Sequence, residues 1–196
     1  MATTVVKTIG TGGDYSTLHA WYADRAGDIV TRDTIEVAEL KGEEHDHTAA
    51  FSMAYGSSTT DSTHYFEIRT VEGAEFKGDF GNLSGVAVIT GDISAGGYCI
   101  ECGVDYTRFK NFVINNVSPD AKIGFFHVMR CLNYSATTPF IVLDGVGIGN
   151  VYRDTTDFIV GCYVSGGSGY ARVVNSVIHN LASGSNKNCY GFWGNH

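Results

Sequence analysis

Apolar residues along this chain fall in short bursts, separated by clusters rich in Gly, Asn, Asp and Ser. Thr34-Ile-Glu-Val-Ala-Glu-Leu40, His64-Tyr-Phe-Glu-Ile-Arg-Thr-Val71 and Val86-Ala-Val-Ile-Thr90 carry the β-branched and aromatic enrichment of strands bounded by turns. Downstream the bursts become periodic. Cys102, Cys131, Cys162 and Cys189 recur at a nearly even interval of about 30 residues, in the range of repeat architectures. Upstream, Ile35 and Phe66 are separated by the same interval as Cys131 and Cys162. Each downstream unit holds two apolar runs. Phe109-Lys-Asn-Phe-Val-Ile-Asn-Asn-Val117, Val142-Leu-Asp-Gly-Val-Gly-Ile-Gly-Asn-Val151 and Val173-Val-Asn-Ser-Val-Ile-His-Asn-Leu181 form the second run. Their common form is a polar residue (Asn111, Asp144, Asn175), a Val/Ile pair, then a second Asn (Asn116, Asn150, Asn180).

One such unit cannot bury its apolar face alone, whereas stacked units share one continuous core. Such a period with no helices between the strands predicts one β-solenoid turn per unit. Asn at equivalent bends fits, because it tolerates the left-handed conformation and its amide can hydrogen-bond from coil to coil. The alternative is an irregular β-sandwich with recurring Asn-rich turns. The predicted columns of the core are Ile100, Val128 and Ile159, and Val113, Val146 and Val177. The last unit opens at Cys189 and stops about one strand into a new coil, which leaves Tyr190, Phe192 and Trp193 as candidates for burial against a partner chain.

One segment departs from this pattern. Asp14-Tyr-Ser-Thr-Leu-His-Ala-Trp-Tyr-Ala-Asp-Arg25 places Leu18, Trp21, Tyr22 and Arg25 at helical spacing, with Asp14 or Ser16 able to cap it. A helix there would lay Leu18 and Trp21 over the exposed end of the first coil. The expected division is residues 1–33 as strand and capping helix, and residues 34–196 as coils, the last incomplete.

Composition narrows the class. Glycine makes up 25 of 196 residues, about 13% against an average near 7%, while proline numbers only 2. Tight turns between strands follow, and a helical bundle or coiled coil is excluded. The net charge of −8 with no basic cluster argues against nucleic acid as a partner, since phosphate contacts dominate that affinity. No apolar run approaches the ~20 residues of a membrane span, and Met1–Gly13 lacks the apolar core of a signal peptide. The expectation is therefore no membrane partner and no signal peptide.

The five cysteines are odd in number, against a fully paired disulfide framework. Cys99-Ile-Glu-Cys102 has no second such pair for zinc and sits in a predicted strand, so small buried hydrophobes are expected. Gly42-Glu-Glu-His-Asp-His47 is the densest polar cluster. His45 and His47 share one face of a strand and Asp46 the other, making His45, His47 and Glu43 candidate metal ligands; the alternative is a solvated loop. No cofactor is expected.

Lys7-Thr-Ile-Gly-Thr-Gly-Gly-Asp-Tyr-Ser-Thr-Leu18, followed by Ala20-Trp21 after His19, resembles the opening of right-handed parallel β-helix proteins of the pectate-lyase-like superfold. In these a G-x-G-D-Y-x-T-L/I stretch leads into a capping helix. The nearest sub-type comprises phage and bacterial β-helix proteins, many of them spikes, fibres or decorations of viral particles. The resemblance is most specific over residues 7–25. It implies an all-β, right-handed parallel β-helix, one coil per repeat, on a virion surface and assembled in the host cytoplasm. The implied partners are other particle proteins, copies of the chain and host-surface glycans.

Enzymes of the superfold supply further tests. Asp157-Phe-Ile-Val-Gly161 resembles the strand that bears the nucleophilic Asp of pectin methylesterases, but their Gln-Asp pair and Gly-Arg-Pro-Trp are missing. A lone carboxylate without an acid or oxyanion partner cannot run that chemistry, so Asp157 is the one catalytic candidate and a turn residue is the simpler assignment. The carboxylate cluster of polygalacturonases and the calcium ligands of pectate lyases find no counterpart, and Arg108-Phe-Lys110 reads as a salt-bridged strand end. Two functions follow as expectations. One is a non-enzymatic structural protein of a phage-type particle. The other is a carbohydrate-active enzyme or glycan-binding spike, with a groove on one sheet lined by Tyr163, Tyr170 and Trp193. A row of exposed aromatics beside carboxylates distinguishes the second from the first.

Overall fold

The computed structural model describes residues 1–93, 97–119, 125–133, 140–153, 158–166, 170–183 and 189–195. The chain opens with β1 (Thr3–Ile9), α1 (Leu18–Arg25) and the short β2 (Gly27–Asp28). The first coil is β3 (Thr34–Leu40), β4 (Glu44–Asp46) and β5 (Phe51–Met53), followed by β6 (Ser58–Thr59), which pairs with β2. The second is β7 (Phe66–Thr70), β8 (Val88–Ile93) and β9 (Tyr98–Cys102). The third is β10 (Thr107–Lys110), β11 (Val113–Pro119) and β12 (Phe125–Asn133). The fourth is β13 (Phe140–Asp144), β14 (Gly147–Arg153) and β15 (Phe158–Gly166), and the fifth is β16 (Tyr170–Val174), β17 (Val177–Ser183) and β18 (Cys189–Asn195).

Corresponding strands stack in parallel into three faces. The first runs β1-β3-β7-β10-β13-β16, the second β4-β8-β11-β14-β17 and the third β5-β9-β12-β15-β18. The chain is thus a parallel β-solenoid of about five turns with ~31 residues per coil. β1 matches β3 residue for residue, so the N-terminal segment is built into the first face. Counted from that face, β18 completes the fifth coil rather than opening a sixth.

The corners follow from backbone chemistry. Asn111, Gly145 and Asn175 have φ of 63°, 69° and 49°, and Asn116, Asn150 and Asn180 have φ of 52°, 49° and 52°. A residue in the left-handed region turns a strand sharply, and Asn and Gly enter that region most cheaply. The second series agrees with the repeat read from sequence. The first needs a correction: Gly145, not Asp144, takes the bend, and the Asp144 carboxylate instead accepts a hydrogen bond from Asn175 Nδ2 at 2.9 Å. Amides also link the coils, with Asn180 Nδ2 donating to Asn150 Oδ1 at 2.7 Å and Asn150 Nδ2 to Asn115 Oδ1 at 3.0 Å.

Both predicted columns are misaligned. Ile100, Val128 and Ile159 are all fully buried, but Ile100 lies beside Met129, which lies beside Cys162, while Ile159 is flanked by Phe126 and Cys189. On the third face two successive residues turn inward, Cys99 with Ile100 and Val128 with Met129, and this breaks strict alternation. On the second face the row is Val113–Gly147–Val177. Val146 faces the core, whereas Val113 packs with Phe76 and Val177 is 39% exposed. The match of Ile35 to Phe66 is also off by one, since Phe66 pairs with Glu36.

α1 covers the end of the first coil as its spacing predicted. Leu18 and Trp21 are fully buried, Trp21 meets Phe66 edge-on at 5.9 Å, and Tyr22 meets Phe51 at 6.1 Å. Thr17 is the cap, its hydroxyl accepting from Ala20 N at 3.1 Å. Asp14 is engaged elsewhere: Thr8 N, Lys7 and the Thr8 hydroxyl bind its carboxylate and lower its pKa to about 2. Arg25 at the end of α1 grips the fully buried Glu36 through two hydrogen bonds of 2.8 and 2.9 Å, fixing the helix to the coil beneath.

Candidate functional site: an aromatic groove on the third face

The three outer faces differ in chemistry. The first carries ion pairs, with Arg69 bridging Glu39 at 2.7 Å and Glu67 at 3.0 Å, and Lys110 reaching Glu67 at 2.8 Å. Arg108 lies 3.6 Å from the Tyr65 ring centroid. These residues read as a strand-end ion network, as Arg108-Phe-Lys110 suggested. The second face is covered by the excursion between β7 and β8. Phe76 packs on Val88 and Val113, and Phe80 stacks on His179 at 5.4 Å. A Cβ on Gly147 would sit 2.5 Å from Phe76, and one on Gly149 2.3 Å from Phe80, so these glycines make room for the rings.

The third face is where aromatics meet charge. Parallel register places Ser52, Glu101, Arg130, Tyr163 and Trp193 in one row, from β5 to β18. A second row holds Tyr98, His127, Val160 and Tyr190. The His127 ring stacks on Tyr163 at 4.5 Å, Tyr163 meets Trp193 edge-on at 5.7 Å, and Trp193 lies 5.4 Å from Tyr190. Arg130 reaches Glu101 at 3.3 Å, and Ser52 donates to the other oxygen of Glu101 at 3.1 Å. Gly97, His127, Arg130, Tyr163 and Trp193 line a groove of about 340 Å³. Burial, and secondarily the Arg130 charge, lowers the His127 pKa to about 4, so its imidazole is neutral at pH 7. Flat apolar rings beside a few convergent polar groups are the usual makeup of a small-molecule site.

The residues singled out from sequence are distributed as follows. Tyr163 and Trp193 belong to the groove, while Tyr170 falls in β16, a strand of the first face. Tyr190, Phe192 and Trp193 do not form one surface. Tyr190 and Trp193 join the third face, while Phe192 pairs with the inward-facing Cys162 and is 53% exposed in the last coil. Asp157 lies outside the described residues. His45 and His47 are buried and Asp46 is exposed, as alternation predicted. Their cleft of about 270 Å³, under the Gly10–Gly13 turn, also holds Glu43. Among the described residues, however, no group of three or more His, Cys, Asp or Glu side chains is placed to hold a metal. His45 Nε2 meets the Lys41 carbonyl at 3.0 Å and Glu43 accepts from Thr11 N, so these candidate ligands are engaged by the chain itself.

Cys99, Cys102, Cys131 and Cys162 are buried free thiols. Burial pushes Cys99 up to about 12 and Cys102 up to about 11, which makes these two inert. Sequence reasoning missed Tyr98, Glu101, His127 and Arg130. The coil period was the available signal: Glu101 and Arg130 are separated by the same interval as Cys102 and Cys131.

No family model matches the chain, and no curated protein or solved structure matches it either.

Proposed function

We propose that the chain is a non-enzymatic, glycan-binding β-helix of a phage-type particle, displayed at the virion surface and using its third face as the binding face. The aromatic groove carries this reading. Sugar rings present apolar C–H faces that pack on aromatic rings, and their hydroxyls pair with neighbouring polar groups. Of the two functions expected from sequence, a row of aromatics beside a carboxylate favours glycan binding over inert decoration. Membership of the pectate-lyase-like superfold and the link to particles rest on the resemblance of residues 7–25. Particle proteins and further copies of the chain are the partners that reading implies, with exposed Phe192 available to them.

The test is tryptophan fluorescence. Trp21 is fully buried and Trp193 is 37% exposed, so acrylamide reports chiefly on Trp193. A panel of bacterial-surface oligosaccharides should contain members that protect Trp193, and Tyr163→Ala should abolish that protection. A panel with no protecting member refutes glycan binding. Incubation with polysaccharide should leave the chain lengths unchanged, and turnover lost in Asp157→Asn would overturn the non-enzymatic assignment.

A further inference from the structure

The groove holds more hydrogen-bonding capacity than the chain uses. Arg130 carries five N–H donors in a planar fork. Among the described residues its ion-pair contact is Nη1 to Glu101 Oε2 at 3.3 Å, and its Nε is buried with no partner. The Tyr98 ring centroid is 5.9 Å away, at the limit of a cation–π contact. Glu101 does not saturate the guanidinium: the contact is single and long rather than a two-pronged fork, and its other oxygen accepts from Ser52. His127, another residue that lines the groove, also has a buried atom with no partner, Nδ1. Buried polar atoms without partners are uncommon, and both of these belong to residues that line one groove.

We infer that Arg130 forms an anion subsite for the carboxylate of an acidic sugar, with Trp193 packing against the sugar ring. The inference rests on the glycan reading and names the sugar class. A carboxylate is planar and offers two acceptor oxygens, matching the fork of an arginine better than a point charge. Nη2 of the part-exposed Arg130 side chain is left for the carboxylate, and Glu101 stays on Nη1 and holds the guanidinium in place. The groove volume of about 340 Å³ falls within the range of small-molecule sites. The chain's net charge of −8 opposes an anion at long range, but at about 0.15 M salt the Debye length is about 8 Å and the local contacts dominate.

The experiment titrates the whole chain, by calorimetry at that salt, with a disaccharide ending in glucuronic acid and with its neutral counterpart ending in glucose. The acidic sugar should bind at least about tenfold tighter, the scale of one charge-assisted pair. Arg130→Gln should bring the two affinities together, and a circular dichroism spectrum and urea midpoint matching the parent's show that the variant is folded. Arg130→Lys keeps the charge but loses the fork, and should lose most of the preference. Inorganic phosphate at equal concentration should not displace the acidic sugar; full displacement would make the subsite a general anion site and overturn the sugar assignment. Equal affinities in the unaltered chain overturn the acidic-sugar inference and leave glycan binding standing. Binding of neither sugar, together with failure of the wider oligosaccharide panel, overturns both. A preference that survives in Arg130→Gln removes Arg130 from the subsite.

Discussion

Replacing Gly145 by Ala tests the corner geometry where sequence and structure part. Gly145 has φ of 69°, and a Cβ there would sit 2.4 Å from Asn111 Oδ1 in the coil before it. Two costs add. An L-residue in the left-handed region costs roughly 1–2 kcal/mol, reduced by about 0.4–1 kcal/mol because Ala restricts the unfolded chain. Moving Asn111 aside pushes its side chain off a rotamer, at about 0.5–1.5 kcal/mol. The sum is about 0.5–3 kcal/mol. Gly73→Ala is the control, since Gly73 has φ of 87° with nothing within 4 Å of the added Cβ; it isolates the backbone cost. Urea unfolding followed by circular dichroism reads both. With a slope of about 2 kcal/mol per M, Gly145→Ala should lower the midpoint by about 0.25–1.5 M and Gly73→Ala by clearly less. Equal midpoints for the two variants would refute the contact with Asn111. A Gly145→Ala chain as stable as the parent would refute the corner assignment itself, and would favour the alignment that puts Asp144 at the bend.

Ile159→Asp places a carboxylate in the core beside Phe126 and Cys189. It should cost about 4 kcal/mol or prevent folding, and a midpoint within about 0.3 M of the parent would place Ile159 outside the core. A pH dependence is also expected from His47, which is held to a pKa of about 4 by burial and then by the charges of His19 and His45. The unfolded chain takes up that proton near pH 6.5 and the folded chain refuses it until about pH 4. Stability attributable to His47 is therefore present at neutral pH and lost as pH falls through that window, by at most about 3 kcal/mol. His47→Gln should flatten the urea midpoint between pH 6.5 and 4.5, and identical slopes for variant and parent would contradict the burial argument.

The solenoid was legible in the sequence because stacked coils repeat their chemistry. Asn116, Asn150 and Asn180 sit at a corner that successive coils fill alike, and Ile114, Ile148 and Ile178 are register neighbours, so the coil period shows in one chain; of the recurrent cysteines only Cys102 and Cys131 are register neighbours. The capping helix was legible too, since Leu18 and Trp21 fall on one stripe of a helix whatever they pack against. Register was decided only by the fold. Phe66, Thr107, Ile141 and Ala171 are neighbours on the first face, yet the intervals between them are unequal and the first is the longest. Turns of unequal length absorb the difference, and no fixed period reports it. On the third face Val128 and Met129 both turn inward, so the inward pattern alone does not decide that Ile100 meets Met129 and not Val128. The candidate site depends on that register throughout. Tyr98, Glu101, His127, Arg130, Tyr163 and Trp193 are drawn from four strands spread along the second half of the chain, and a slip by a single position would turn Arg130 toward the core. The residue types were in the sequence, but parallel pairing alone brought them to one face.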